Sequence, residues 1–273
     1  MNYLKKSVHL TIAEIKHHPK LFLLIIVVQA LLLITVAAVG ITYQMKIVTD
    51  LQNVVNPLQQ ANYDPDSLQE GQPFLADLAG VQRSYQQLQQ NILEAVLIVA
   101  LLYGVVHSGL WALSQKLYHH LSWKKTGKVW IKSGVASLLV FSAFGLLSYH
   151  LLRNLITAAV DVTFFSQVAQ YLLITLGVLY YFLSIIYGIP TIHWKKNLLA
   201  IYHLGIKKIH YFIIPLGINV VLMLGTLYLF SLTTAQPSFL IIILAGFLFI
   251  VTVGITRIFF LANVQEIYEK NNH

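Results

Sequence analysis

Long runs of apolar residues, separated by shorter polar segments, are the dominant pattern along the chain. Six runs reach the length of about 20 residues that an α-helix needs to cross a bilayer core of about 30 Å. The first of them, Leu21 to Tyr43, contains no charged residue. The pattern therefore predicts an all-α integral membrane protein. Its six transmembrane helices are expected at residues 21–43, 93–114, 133–156, 168–192, 211–234 and 238–262.

The composition of the 273-residue chain agrees with this prediction, since 57% of the residues are hydrophobic and only 10% are charged. Soluble domains average about 45–50% and about 25%, respectively. So few charged side chains cannot cover a surface exposed to water, which argues against a soluble enzyme or a disordered regulator. We therefore expect residues 1–273 to form a single membrane domain. The chain has no cysteine, which excludes disulfides and thiolate chemistry.

Basic residues are concentrated in alternate connections between the predicted helices. Fifteen of the 18 Lys and Arg residues lie in residues 1–20, 115–132, 193–210 and the C-terminal end, whereas seven of the 10 acidic residues lie on the opposite side. Because Lys and Arg in short loops stay on the cytoplasmic side, we expect a cell-membrane protein with both termini cytoplasmic. This distribution accounts for the net charge of +8 without a nucleic-acid partner.

Residues 1–20 are predicted to form an amphipathic elbow helix in the membrane interface, because Leu4, Val8 and Ile12 recur at helical spacing. Residues 115–132 and 193–210 are basic amphipathic segments of the same kind. Their lysine pairs are expected to bind the anionic headgroups of the bilayer. These lysines are Lys5, Lys6, Lys124, Lys125, Lys195 and Lys196.

Two further features are expected at the same interface. The four tryptophans, Trp111, Trp123, Trp130 and Trp194, fall near the basic side, where amphipathic rings prefer to lie. Arg257 lies near the end of the sixth apolar run, from which its long side chain is expected to reach the headgroups.

Residues 44–92 are predicted to form an extracytoplasmic helical hairpin between the first two spans. Ile41, Met45 and Val48 continue the periodicity of the first span beyond the membrane. The returning arm has apolar residues at coiled-coil spacing, namely Phe74, Leu78, Val81, Tyr85, Leu88 and Ile92. The hairpin is either a self-packed stalk of roughly 25 Å or a surface for a protein partner.

Polar residues within the spans are candidates for function, because a polar group in hydrocarbon needs a partner. Gln29, His107 and Asn219 lie at a similar depth, about 10–13 Å from the cytoplasmic ends of their spans. Ser142 and Ser184 lie in neighbouring spans. Together these residues either line a polar cavity with His107 as its titratable member, or form structural hydrogen bonds between helices.

Two further patterns accompany this polar layer. Gly104, Ser108 and Ala112 form a ridge of small residues beside His107, which predicts close helix packing at that position. A second candidate cluster, near the outer surface, consists of His150, Arg153 and Asp161.

No motif for catalysis, nucleotide binding or metal binding is found in the sequence. The adjacent pairs His17–His18 and His119–His120 point about 100° apart on a helix, so neither pair can hold one metal ion as residues at i and i+4 do. We therefore expect no enzymatic activity, no cofactor and no metal.

The function predicted from these features is the binding or movement of a lipid or small solute through an inner-leaflet polar cavity near His107. One alternative is the permease subunit of an ATP-driven exporter, whose six-span layout this chain resembles and which would need a separate ATPase chain. Another alternative is a membrane scaffold that binds a protein partner through residues 44–92.

Overall fold

The computed structural model of the chain describes residues 2–60, 78–157, 162–189, 199, 201–233 and 239–269. All regular secondary structure in these ranges is helical. Six of the helical segments are long and apolar enough to cross a membrane. The prediction of a multi-pass, all-α membrane protein is therefore confirmed, whereas the side of the membrane on which the termini lie stays a prediction.

The helices of the first half are α1 Asn2–His17, α2 Pro19–Gln60, α3 Leu78–Leu102, α4 Ser108–His119 and α5 Trp123–Thr157. Those of the second half are α6 Val162–Gly188, α7 Ile209–Thr233 and α8 Phe239–Glu269. A π-helical turn, Tyr103–His107, joins α3 to α4 into one span, and a second π-helical turn, Ile201–Ile206, precedes α7. The six candidate spans are α2, α3–α4, α5, α6, α7 and α8.

Burial changes along the spans, and α6 shows the change most clearly. Leu173, in the middle of α6, is 74% exposed, whereas Tyr187 at the C-terminal end of this helix is completely buried. In α8, Leu240 and Phe247 are exposed, whereas nearly every residue from Thr256 to Ile267 is buried. We call the end of the bundle where α1 packs against α8 the packed half, and the opposite end, where the described helices cover one another less, the splayed half.

The helix α1 packs against α8, and the residues that it buries are polar. Its buried residues are Ser7 and Thr11, whereas the apolar Val8 and Ile12 are exposed. Lys6 forms an ion pair of 2.6 Å with Glu266 of α8, so one of the lysines expected to bind headgroups pairs instead with the protein. Lys5, Lys124 and Lys125 are exposed. Lys195 and Lys196 lie outside the described residues.

The helices α2 and α3 pack together along the segment predicted as a hairpin. Leu88 of the predicted α3 seam is buried, as expected. On α2, however, Met45 of the predicted apolar row is 67% exposed, and the row facing α3 contains Asp50. The buried Asp50 accepts a hydrogen bond of 2.6 Å from Asn91, which satisfies the carboxylate inside the contact. The tip of the hairpin, including Phe74, lies outside the described residues.

Close packing of α5 accompanies the π-helical turn beside His107. A Cβ atom added to Gly104 would lie 2.4 Å from the Leu138 side chain of α5. Ser108 Oγ donates to the carbonyl oxygen of Gly104, and Trp130 Nε1 of α5 donates to that of Val105 at 2.7 Å. A π-helical turn interrupts the regular i to i−4 bonding, and these side chains supply donors there. Gly104 and Ser108 thus confirm the close approach that the ridge predicted.

Gly104→Ala is expected to lower the free energy of unfolding by about 1–3 kcal/mol, because Leu138 must leave its position to make room for the methyl group. Gly177→Ala is the matched control, since a Cβ atom at Gly177 of α6 meets no atom within 4 Å. SDS titration of the protein in mixed micelles measures both changes. Equal stability of the two variants would contradict the close packing at Gly104.

Candidate functional site

The centre of the packed half is the guanidinium group of Arg257 in α8. The expectation that this side chain reaches the headgroups is wrong, because Arg257 is only 4% exposed. It lies about three turns before the end of α8, inside the bundle. Its Nη2 donates to Gln29 Oε1 of α2, and its Cζ lies 5.8 Å from the ring centre of Trp111 of α4. Arg257 therefore connects three helices.

No carboxylate compensates the charge of Arg257 within the part of the chain that the structure describes. The ion pairs found there are Lys6–Glu266 and the contact of His120 with Glu14. The Nη1 atom of Arg257 is buried and has no hydrogen-bond partner among the residues that the structure describes. A buried guanidinium is ordinarily paired or fully hydrogen-bonded, because desolvation of the charge is costly. The described protein groups therefore do not fully compensate the charge of the Arg257 guanidinium.

His107 lies beside this centre, at the end of the π-helical turn, and is buried as predicted. Its Nε2 accepts a hydrogen bond of 3.0 Å from Trp111 Nε1 and faces the Tyr180 hydroxyl at 3.3 Å. Since the indole N–H can only donate, Nε2 acts as an acceptor and the imidazole is neutral with its proton on Nδ1. The bond fixes Trp111 in the position where its ring faces Arg257.

Aromatic rings fill the space around His107. The rings of Tyr103, Tyr180 and Tyr187 lie 5.2, 5.8 and 6.0 Å from its own ring. Trp111 stacks on Tyr187 with 5.0 Å between ring centres. Trp111 is therefore a core residue, which corrects the expectation that it lies at the membrane interface. A polar layer exists, but its side chains pack against one another.

The remaining predicted members of the layer take different positions. Asn219 of α7 donates a hydrogen bond of 3.3 Å to the carbonyl oxygen of Thr256. Thr256 precedes Arg257 in the sequence. Ser184 is buried but donates to the Tyr180 carbonyl oxygen of its own helix. Ser142 is half-buried on α5 and takes no part in these hydrogen bonds. Gln29 and His107 thus meet through Arg257 and Trp111, with Asn219 at the edge.

The outer cluster predicted from His150, Arg153 and Asp161 stays a prediction. His150 is exposed near the end of α5. The side chain of Arg153 and all of Asp161 lie outside the described residues.

A second set of polar side chains, which was not predicted from the sequence, forms hydrogen bonds with the C-terminal end of α6. Lys132 Nζ of α5 lies 3.3 Å from the carbonyl oxygen of Ile186 and 3.0 Å from that of Ile189, and donates to both. Gln115 of α4 donates to the carbonyl oxygen of Tyr187. The last carbonyl groups of a helix lack partners within the helix, and a cation there also complements the helix dipole. Because residues 115–132 are rich in lysine, nothing in the sequence distinguished Lys132 as a structural residue.

No protein-family model, no curated protein and no solved structure matches the chain.

Lys132→Gln is expected to lower the free energy of unfolding by about 1.5–3 kcal/mol, the usual contribution of hydrogen bonds made by a charged group. Lys128→Gln, on an exposed position of the same helix, is the control and is expected to change it by less than about 0.5 kcal/mol. Chemical unfolding in mixed micelles measures both variants. A change at Lys128 as large as that at Lys132 would argue against the contact with α6.

Proposed function

We propose that this multi-pass membrane protein binds an amphiphile with an anionic headgroup, a phosphate or a carboxylate, at Arg257. We further propose that the amphiphile exchanges with the bilayer through the splayed half. The observation that carries the proposal is the buried guanidinium, whose Nη1 lacks a partner and which forms no ion pair with a described carboxylate.

The chemistry of the arginine determines the kind of ligand. A guanidinium presents donors in a planar fork that matches two oxygens of a phosphate or carboxylate. Gln29 and Trp111 already hold one side of the Arg257 group, which leaves Nη1 for a further acceptor. An anion bound there offsets the charge that the described protein groups leave uncompensated.

The burial pattern favours approach of the ligand from the splayed half. Tyr103 and Tyr180, which flank His107, are only partly buried. One turn further along α6, a Cβ atom at Gly177 would meet no neighbouring atom. The exposed apolar faces of α6 and α8 offer hydrocarbon surface for acyl chains beside these tyrosines.

Arg257→Gln is expected to abolish stabilisation by an anionic lipid without lowering the stability of the lipid-free protein, because the substitution removes an uncompensated buried charge. The probe is dioctanoyl phosphatidylglycerol added to the delipidated protein in a neutral detergent. The readout is the midpoint of thermal unfolding, which a bound ligand raises. Arg83→Gln, at an exposed arginine of α3, is the matched control and should respond like the unmodified protein.

Two additional ligands identify the source of the anion. Dioctanoyl phosphatidylcholine tests whether the net negative charge is needed, and inorganic phosphate tests whether the acyl chains are needed. Stabilisation by phosphatidylglycerol alone supports the proposal. Equal stabilisation of the Arg257→Gln protein by phosphatidylglycerol would contradict the proposal. A lower stability of this variant without lipid would also contradict it, because Arg257 would then be a structural residue only.

A second function, a scaffold that binds a protein partner, is favoured by the exposed apolar row on α2. Ile41, Met45, Val48 and Leu51 are exposed at helical spacing, although α3 packs on another face of the same helix. Val48 and Leu51 lie more than about 20 residues beyond Leu21, so a bilayer of ordinary thickness does not reach them. A second protein helix is the natural cover for such a row.

Because the chain has no cysteine, a single introduced thiol reports on this row alone. Val48→Cys labelled with maleimide-benzophenone in native membranes is expected to form a cross-linked adduct on illumination, because the photoreactive ketone inserts into C–H bonds of a neighbouring protein. Gln82→Cys, at an exposed position of α3, is not expected to form one. Electrophoresis under denaturing conditions measures the adduct. Equal cross-linking of both variants indicates random collision and contradicts the scaffold.

A further inference from the structure

A cluster of three side chains lies on the packed half, where the junction of α1 and α2 meets the end of α4. It consists of Glu14 of α1, His18 between α1 and α2, and His120, which caps α4. One ligand atom from each residue lies within 4.8 Å of those of the other two. Glu14 and His18 are four residues apart, the spacing that places two side chains on one face of a helix.

The distances within the cluster suit a small metal ion. His18 Nε2 lies 3.0 Å from His120 Nδ1, and His120 Nε2 lies 3.7 Å from Glu14 Oε2. Two ligand atoms bound to zinc at about 2.0–2.1 Å in a tetrahedron are about 3.3 Å apart. The two observed distances involve different nitrogens of His120, and one ion binds only one of these nitrogens. With one ligand atom from each residue, all three atoms lie within 4.8 Å of one another, so rotation of the exposed His120 side chain has to shorten the longer separations to about 3.3 Å.

Two further observations point to a ligand at this cluster. Glu14 Oε2 is buried and accepts no hydrogen bond, which is costly for a carboxylate oxygen. His120 has a left-handed backbone with φ of 49°, and it is the only non-glycine residue with positive φ in the described ranges. Glycine is the usual residue at such a position, so a histidine there is retained at some cost in backbone energy.

We propose that Glu14, His18 and His120 bind Zn²⁺. Two histidines and one glutamate are an established ligand set for zinc, which leaves a fourth position for an exchangeable ligand. His18 and His120 both line a cavity of about 710 Å³, whose wall also contains Lys20, Lys116 and Trp123. The ion connects the α1–α2 junction to the α4–α5 connection, and its fourth position is reached from this cavity.

The proposed site does not use either adjacent histidine pair as a unit. Within His17–His18 and within His119–His120, neighbouring side chains on a helix point about 100° apart and cannot hold one ion together. The fold instead combines one histidine from each pair, although they are 102 residues apart in sequence.

The test is zinc binding by the full-length protein in detergent, purified without a polyhistidine tag. Competition with a chromophoric zinc indicator is expected to give one tightly bound Zn²⁺ per chain. His120→Asn removes a ligand while keeping a side chain that tolerates the left-handed backbone, and His18→Asn and Glu14→Gln remove the other two. Each is expected to weaken zinc binding at least about tenfold, since even loss of a residue that only orients a zinc ligand costs about 10- to 100-fold.

The control is His9→Asn, at an exposed histidine of α1, which is expected to bind zinc like the unmodified protein. His120→Gly separates the roles of backbone and ligand, because glycine relieves the left-handed strain and yet provides no ligand. It is expected to unfold at the same or a higher temperature without metal and to gain no stability from added Zn²⁺. Unchanged zinc affinity in the three ligand variants, or no zinc bound by the unmodified protein, would overturn the proposal.

Discussion

Burial of the Arg257 guanidinium inside an apolar bundle is the constraint that the packed half has to accommodate, through the contacts of this group with Gln29 and Trp111. Hydrocarbon cannot solvate a guanidinium, so any fold that keeps Arg257 away from the headgroups must surround it with polar and aromatic groups from other helices. Those groups come from α2 and α4, and His107 holds Trp111 in place through its own hydrogen bond. The convergence of α2, α4 and α8 on one half of the bundle is a direct consequence.

An anion bound at Arg257 connects the burial of this charge with a function. The described protein groups satisfy the guanidinium only in part, and Gly177 and Val178 of α6, just beyond Tyr180, are exposed. A stable fold without a ligand needs no uncompensated charge at this position, since an apolar residue is easier to bury. The incomplete solvation of Arg257 is therefore better explained by a binding role than by a role in stability alone.

The number of spans and their order could be predicted from the sequence, because apolar length and helical periodicity are local properties. The burial of Gln29 and His107 was also predictable, since a polar residue in the middle of an apolar run needs a partner. The position of Arg257 was not, because an arginine near the end of a span reaches the headgroups or turns inward according to its neighbours. Lys132 was missed for the same reason, as its partners lie on α6.

Contacts between segments distant in sequence account for the other differences. On α2, the apolar row at Met45 has the correct helical period but does not lie on the face that packs against α3. That face contains Asp50, which accepts a hydrogen bond from Asn91, 41 residues away. The same limit applies to Glu14, His18 and His120, whose proximity depends on how the α1–α2 and α4–α5 connections meet. Periodicity in the sequence predicts which residues share one face of a helix, whereas the tertiary fold determines which other helices that face contacts.

Binding of an anionic lipid at Arg257 is tested most directly by an electron cryomicroscopy map of the protein with an attached antibody fragment, in nanodiscs of phosphatidylglycerol and phosphatidylcholine. We expect headgroup density within hydrogen-bond distance of Arg257 Nη1, with acyl chains extending into the splayed half. A protein carboxylate bonded to Nη1 in that map, with no lipid density beside it, would contradict anion binding at this arginine.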